Sequence, residues 1–100
     1  MKWQQIICKA IADRSVLRML YDDNIWRTIE PHTFGINTNG NLAVRAFRIA
    51  KDGSPSELPD WRVYLNSKIV HIRESGDQFM AARPGYSATP TEFSKIVSKL

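Results

Sequence analysis

The chain has 100 residues, of which 43% are hydrophobic and 24% are charged. This size and composition predict one folded domain and exclude general disorder. The net charge of +4, with a pI near 9.5, is compatible with a polyanionic partner whose binding weakens with salt. Charge alone does not establish such a partner, because most small basic domains carry their lysines on a solvated face.

Cysteine usage and hydropathy indicate the compartment. The single cysteine, Cys8, forms no internal disulfide and no cysteine-rich zinc framework, which fits a reducing environment. The first residues contain no continuous apolar run of signal-peptide length, because Lys9, Asp13 and Arg14 interrupt it. No segment reaches the ~18 apolar residues of a membrane span. We therefore expect a cytoplasmic protein with no membrane partner.

The amino-terminal third predicts a helix followed by a strand. Over residues 3–14, apolar side chains recur at spacings of three and four, which is typical of an amphipathic helix. Residues 16–21, VLRMLY, carry apolar side chains on both alternating faces and precede a turn-forming Asp-Asp-Asn cluster. This pattern predicts a strand covered on both faces, with the helix lying across one of them.

The central segment, residues 26–47, predicts a β-hairpin. Its two arms are joined at Asn37-Thr38-Asn39-Gly40, and an Asn-Gly pair readily supplies the positive φ angles of a tight turn. Pro31 lies in the first arm and has no N–H to donate to a strand ladder. We therefore expect that arm to be bent, bulged or at a sheet edge near residue 31. Such bending would allow a short sheet to curl into a barrel.

The remaining chain predicts a loop, two strands, a turn and a helix. Residues 51–60 are rich in turn formers, residues 61–66 and 69–73 resemble strands, and residues 83–86, RPGY, have the Pro-Gly order of a type II turn. Thr89-Pro90-Thr91-Glu92 is a capping box with proline at the first helical position. Apolar residues follow it at helical spacing, at Phe93, Ile96, Val97 and Leu100. This closing helix would either dock on the outside of the barrel or form a dimer seam.

Several segments together resemble a small standalone WYL domain. They are residues 16–21, 27–32 (RTIEPH), 40–47 (GNLAVRAF), 61–64 (WRVY) and 83–86 (RPGY), and the resemblance spans residues 6–100. It implies a small SH3-like, or Sm-like, barrel with an amino-terminal helix. The expected fold class is therefore α+β, mainly β, with a five-stranded barrel between an amino-terminal and a carboxy-terminal helix.

The resemblance also implies recognition of a ligand. WYL domains occur mostly in bacterial transcription regulators and phage-defence systems, where they sense ligands that are often nucleic acid or nucleotide-like. They usually sit beside a helix-turn-helix domain, for which this chain has no room, so it would act alone, as a homo-oligomer or on a protein partner. The Trp-Tyr-Leu triplet that gives the family its name is replaced here by residues 42–44, LAV. The family strand F-R-L-D-R-I corresponds to residues 64–69. In that strand Leu65 replaces the first arginine and Ser67 replaces the aspartate. Arg27, upstream of Pro31, is retained.

Polar residues on the predicted hairpin form the candidate site. Arg27 and Arg45 could clamp one anion across the hairpin, because the planar guanidinium binds phosphate or carboxylate through two N–H groups. Alternatively, Arg27 pairs with an acid such as Glu30 or Asp23, and His32 is a structural histidine. The predicted ligand-binding residues are Arg27, Glu30, His32, Arg45, Arg48 and Tyr64.

Aromatic side chains have two interpretations in so small a domain. They can form the core or stack on unpaired bases beside arginines. The residues concerned are Trp26, Phe34, Phe47, Trp61 and Tyr64. We expect Trp61 to be buried, and Tyr64 and Tyr86 to be the better candidates for the surface.

Catalytic and metal-binding signatures are not found in the sequence. There is no nucleophile motif, glycine-rich phosphate loop or pair of catalytic carboxylates, and His71 is too far from His32 in sequence to indicate a metal pair. We predict a non-catalytic, cofactor-free regulatory module that binds an anionic ligand, either nucleic acid or a nucleotide. The alternative is a protein-interaction module, an accessory factor of a phage or mobile element that dimerises or docks on a larger complex.

Overall fold

The computed structural model describes residues 2–100 and shows a mainly β fold with one amino-terminal helix. The elements, in chain order, are α1 (Gln4–Asp13), β1 (Ser15–Tyr21), β2 (Trp26–Asn37), β3 (Leu42–Lys51), β4 (Asp60–Leu65), a 3-10 turn (Asn66–Lys68), β5 (Ile69–Gln78) and β6 (Phe93–Lys99). All strand pairs are antiparallel and belong to one sheet, in the order β4-β3-β2-β1-β5, with β6 also paired to β2. This sheet is not closed.

β2 is the long central strand and changes partner at its middle. Its first half, as far as Ile29, pairs with β1, and its second half, from Thr33 onward, pairs with β6. Pro31 lies between these two ladders, where neither β1 nor β6 pairs with β2. The pairing of β2 with β3 also shifts register between Pro31 and Thr33. The predicted irregularity at Pro31 is thus confirmed, and it marks the point where the sheet divides.

α1 covers one face of this sheet, which we call the helix face; the opposite side is the outer face. Ile7 and Ile11 of the helix are buried against Leu17 and Met19 of β1, in a core that continues across β2 and β3. The predicted helix and its packing against β1 are confirmed. The predicted covering of the other face of β1 is not complete, because Arg18 and Leu20 on that face are only partly buried. Arg14, with φ of 53°, ends the helix in a left-handed conformation.

The predicted hairpin is formed by β2 and β3. Gly40 has φ of 83°, and the side-chain oxygen of Asn37 accepts hydrogen bonds from the backbone N–H groups of Asn39 (3.0 Å) and Asn41 (2.9 Å). The asparagine therefore closes the turn with its own side chain, while the glycine takes the positive φ. The RPGY turn is also formed, with Gly85 at φ of 91°.

The predicted carboxy-terminal helix is wrong, because residues 93–99 form β6 and the sheet has six strands, not five. Pro90 does begin a turn, whose carbonyl accepts a hydrogen bond from the N–H of Phe93 (3.1 Å). The carbonyl of Glu92 then accepts one from Thr38 (3.0 Å), which directs the chain along the free second half of β2. A seven-residue segment gains more from completing this ladder than from two isolated helical turns. A dimer seam built on a closing helix is therefore not available.

The remaining predicted elements agree with the structure, with β5 longer than expected. Residues 61–66 correspond to β4, and the strand predicted over residues 69–73 continues to Gln78. Residues 52–59 between β3 and β4 form turns and irregular backbone. Within residues 2–100, no helix has the length and apolar character needed to cross a membrane.

Candidate functional site

The six predicted site residues are divided between the two faces of the sheet. Arg27 lies opposite Met19 in the β1–β2 ladder, so it belongs to the helix face, as do Arg48 and Tyr64. Glu30, His32 and Arg45 lie on the outer face, in a cluster around Trp61. The structure therefore does not bring Arg27 and Arg45 together, and the anion clamp predicted across the hairpin is not formed.

Arg27 is committed to an internal ion pair. Its side chain is 4% exposed, and its guanidinium donates to both carboxylate oxygens of Asp23 at 2.6 and 3.1 Å. The guanidinium also lies near the rings of Tyr21 and Tyr64, at 5.4 and 5.6 Å from their centroids. The hydrogen bonds from Arg27 hold the pKa of Asp23 below its usual value. The alternative of an Arg27–Asp23 pair is thus the one that the structure shows.

Arg48 and Tyr64 are also enclosed. Arg48 contacts Glu57 at 2.6 Å and Asp60 at 3.1 Å. Tyr64 is 5% exposed, so its predicted surface position is wrong; the alternation of β4 turns it toward the core, opposite Val44. Burial raises the pKa of Tyr64 to about 12, and its hydroxyl has no hydrogen-bond partner in residues 2–100. Arg27, Arg48 and Tyr64 are therefore enclosed by protein contacts and are not exposed to a ligand.

Glu30 and His32 hold residues 79–86, which we call the cover segment, against the outer face. Glu30 receives two hydrogen bonds from the guanidinium of Arg83, at 2.6 and 2.8 Å. Nδ1 of His32 lies 2.8 Å from the carbonyl oxygen of Glu30, and Nε2 lies 3.2 Å from the backbone nitrogen of Arg83. A carbonyl only accepts and an amide only donates, so the imidazole must carry its proton on Nδ1 and be neutral.

The environment of His32 favours this neutral form. The side chain is fully buried, and burial lowers the pKa of its imidazole. Its ring is stacked on Phe79 with 5.2 Å between centroids. Trp61 contacts the same ring edge-on at 4.7 Å and donates to the carbonyl of Pro84 at 2.9 Å. We expected Trp61 to be buried, but it is only partly buried. The cover segment shields one side of its ring.

A second group of polar and aromatic side chains lies on the outer face of β1, β2 and β5, beyond the cover segment. Leu20 of β1 pairs with both Trp26 and His71, while Arg18 pairs with Arg73. Paired residues in adjacent strands point to the same side of a sheet. We call Arg18, Trp26, His71 and Arg73 the aromatic–basic surface.

The geometry of this surface combines aromatic faces with positive charge. The guanidinium carbons of Arg18 and Arg73 lie 5.6 and 5.5 Å from the centroid of Trp26. The ring of His71 lies 6.0 Å from that of Trp26 and 5.6 Å from that of Trp3, edge-on to both. His71 and Arg73 are exposed, and Trp26 is half-buried.

The two arginines of this surface differ in how firmly they are held. Arg18 donates to both carboxylate oxygens of Asp52, at 2.8 and 3.2 Å, and to the hydroxyl of Thr28 at 2.9 Å. Arg73 forms no ion pair within the described part of the chain. Arg18 is thus pre-positioned by protein contacts, while the charge of Arg73 is available to a ligand.

The sequence contained a signal for this surface that the hairpin-centred prediction missed. Trp26 was among the candidates for base stacking, but Arg18, His71 and Arg73 were not. In VLRMLY, the inward positions of Leu17 and Met19 place Arg18 on the opposite face. In IVHIR, the buried Ile72 does the same for His71 and Arg73. Only the pairing of β1 with β5, which are far apart in sequence, shows that these residues meet.

The described residues contain no candidate metal site, and comparisons with known proteins find no match. No group of three or more His, Cys, Asp or Glu side chains in residues 2–100 is arranged to hold a metal ion. No protein-family model, curated protein or solved structure matches the chain.

Proposed function

We propose that this protein is a non-catalytic regulatory module that binds an anionic ligand, and that this ligand is single-stranded nucleic acid. The observation that carries the proposal is the aromatic–basic surface, where two guanidiniums and an exposed histidine surround Trp26 on an uncovered sheet face. Sites for unpaired bases combine the same elements, namely an aromatic face for stacking and arginines for the phosphate backbone.

The proposal places binding away from the buried arginines of the hairpin. Arg27 and Arg48 are each about 4% exposed and are paired with carboxylates, so a phosphate group would have to displace those partners and open the fold. Arg73 carries no such competitor in the described residues. A partly exposed aromatic ring on a sheet face also suits a flexible strand, since unpaired bases can turn toward it, whereas the bases of a duplex cannot.

Membership of the WYL-domain group is part of this proposal. β2 pairs with β1 along its first half and with β6 along its second half. This pairing supports an SH3-like arrangement, in which one long bent strand takes part in two portions of a curved sheet. WYL domains are expected to sense ligands of the kind proposed here. In this chain, we place the ligand on β1, β2 and β5 instead of the strand in which Leu65 replaces the family's arginine.

Fluorescence anisotropy tests the proposed function. Labelled single- and double-stranded DNA and RNA would each be titrated with the protein at low and near-physiological salt. We expect the single strands to bind more tightly, with affinity that falls with salt but persists at the higher concentration. Equal binding of all four probes that vanishes with salt would instead identify a non-specific effect of the net charge.

Two matched pairs of variants locate the site. Trp26→Ala should weaken single-strand binding by about 1–3 kcal/mol, roughly 5- to 150-fold, the usual effect of losing one stacked base. Trp61→Ala, which removes a tryptophan from the cover-segment side, should leave affinity unchanged. Arg73→Gln should reduce the affinity and the salt dependence, while Lys95→Gln removes the same charge from exposed β6 and should not. Thermal denaturation would confirm that each variant folds. Unchanged binding by folded Trp26→Ala and Arg73→Gln proteins would refute this location.

A further inference from the structure

A second polar site lies on the outer face where β2, β3 and β6 meet, and it does not depend on the proposed function. Thr33 of β2 pairs with Arg45 of β3 on one side and with Lys99 of β6 on the other. Paired side chains project from the same side of the sheet, so these three residues form one row across it. Trp61 lies beside the row, with its ring 4.0 Å from the guanidinium carbon of Arg45.

Arg45 is a largely buried cation with few hydrogen-bond acceptors for its N–H groups. Its side chain is 12% exposed, and neither Nε nor Nη1 has a hydrogen-bond partner in residues 2–100. The nearest carboxylate oxygen belongs to Glu92, 3.4 Å from Nε, and the Glu92 side chain is 46% exposed. Stacking on Trp61 satisfies the face of the guanidinium but not the N–H groups in its plane. Buried N–H groups of a charged side chain are rarely left without an acceptor.

Thr33 adds a third unpartnered group at the adjacent position. The residue is fully buried, and its hydroxyl also has no hydrogen-bond partner in the described chain. Lys99, at the other end of the row, is exposed and reaches only the carbonyl of Ala88, at 3.4 Å. The row therefore contains two cations and unused donors, against the single carboxylate of Glu92.

We propose that Arg45 and Thr33 bind one small oxyanion, a phosphate or carboxylate group, with Lys99 at the rim. Such a group accepts several hydrogen bonds at once and matches the N–H geometry of a guanidinium. Glu92 occupies the approach to Nε, so it competes with the incoming anion. The site thus binds an anion when the partly exposed Glu92 side chain turns toward solvent.

The arginine Nε–H signal in nitrogen–proton correlation spectra gives a direct test. Sodium phosphate would be titrated into the protein at constant ionic strength, maintained with sodium chloride. We expect a saturable shift of the Arg45 Nε–H signal and of the Thr33 amide. The Arg48 Nε–H signal serves as an internal control, since that guanidinium is paired with Glu57 and Asp60. A linear drift, or equal shifts at Arg45 and Arg48, would show that no such site exists.

Variants separate competition by Glu92 from a general effect of charge. Glu92→Gln should tighten phosphate binding at least threefold, because the competing carboxylate is lost. Arg45→Lys should abolish the saturable shift at the Thr33 amide, and Lys95→Gln should preserve it. If Arg45→Lys does not fold, the wild-type and Glu92→Gln titrations still decide the question. Phosphate affinity that is the same in Glu92→Gln and wild type would overturn the proposal.

Discussion

Replacement of Gly35 by alanine should detach β6 from β2. An alanine Cβ at this position would overlap the carbonyl oxygen of Lys95 and would lie 3.1 Å from Cα of Ile96. Both atoms belong to the backbone of β6, so no side-chain rotation relieves the overlap. Contacts of a real Cβ are essentially never shorter than 3.0 Å, and the strands must therefore separate by roughly 1 Å.

The expected loss follows from the hydrogen bonds that this separation breaks. A ladder N···O distance near 2.9 Å would lengthen to ~3.9 Å, which is beyond a useful hydrogen bond. Two such bonds at about 1 kcal/mol each give ~2 kcal/mol, within the usual range of about 1–3 kcal/mol for overpacking. For a domain of this size, that corresponds to a decrease of about 8–16 °C in Tm.

Urea denaturation and amide hydrogen exchange would measure this effect. Exchange should accelerate in β6 and the second half of β2, while the β1–β2 ladder that ends at Ile29 stays protected. Gly53→Ala is the matched control, because Gly53 has a positive φ of 80° but open space around it. That variant should lose stability without faster exchange in β6. A Gly35→Ala protein within about 0.5 kcal/mol of wild type would refute the steric argument.

Two further predictions concern buried polar groups. Because burial lowers the pKa of His32, the unfolded chain binds its proton more tightly, and stability should decrease as the pH falls below about 6.5. Urea midpoints at pH 7.5 and 5.0 should show a smaller decrease for His32→Gln than for His71→Gln; equal decreases would contradict this assignment. Tyr64→Phe should stabilise the protein by about 1 kcal/mol, because it removes a buried hydroxyl with no partner. Tyr86→Phe should destabilise it by a similar amount, since that hydroxyl donates to the carbonyl of Leu100 at 2.8 Å. Thermal denaturation of the pair would test this contrast, and a loss of stability in Tyr64→Phe would contradict it.

The elements predicted correctly are those whose signals are local. The stripe over residues 3–14 and the Asn-Gly turn specify their own backbone, whatever surrounds them. The prediction of a closing helix is wrong because its signals, a capping box and four spaced apolar residues, are also local. The free edge of β2, more than 50 residues earlier in the chain, decides the conformation of residues 93–99.

The candidate site was less predictable because burial and pairing are non-local properties. Nothing near Glu30 in sequence indicates that Arg83 will bind it, and nothing near Arg48 indicates Glu57. Arg27 and Arg48 are therefore predicted to face a ligand, when they face carboxylates. The alternation within β1 and β5 was readable from the sequence, but the pairing that joins them was not.

The exchange of partners along β2 has a consequence for the order of folding. The β2–β3 hairpin closes through a short turn, whereas the residues of β5 and β6 pair with residues 48 to 66 positions earlier in the chain. Contacts between residues so far apart in sequence form late, because a long loop must be closed before they contribute any stability. His71 and Arg73 lie on β5, so the aromatic–basic surface exists only after this distant strand has docked. A nascent or partly folded chain would thus present the hairpin but not the proposed nucleic-acid surface, and ligand binding would be restricted to the completed fold.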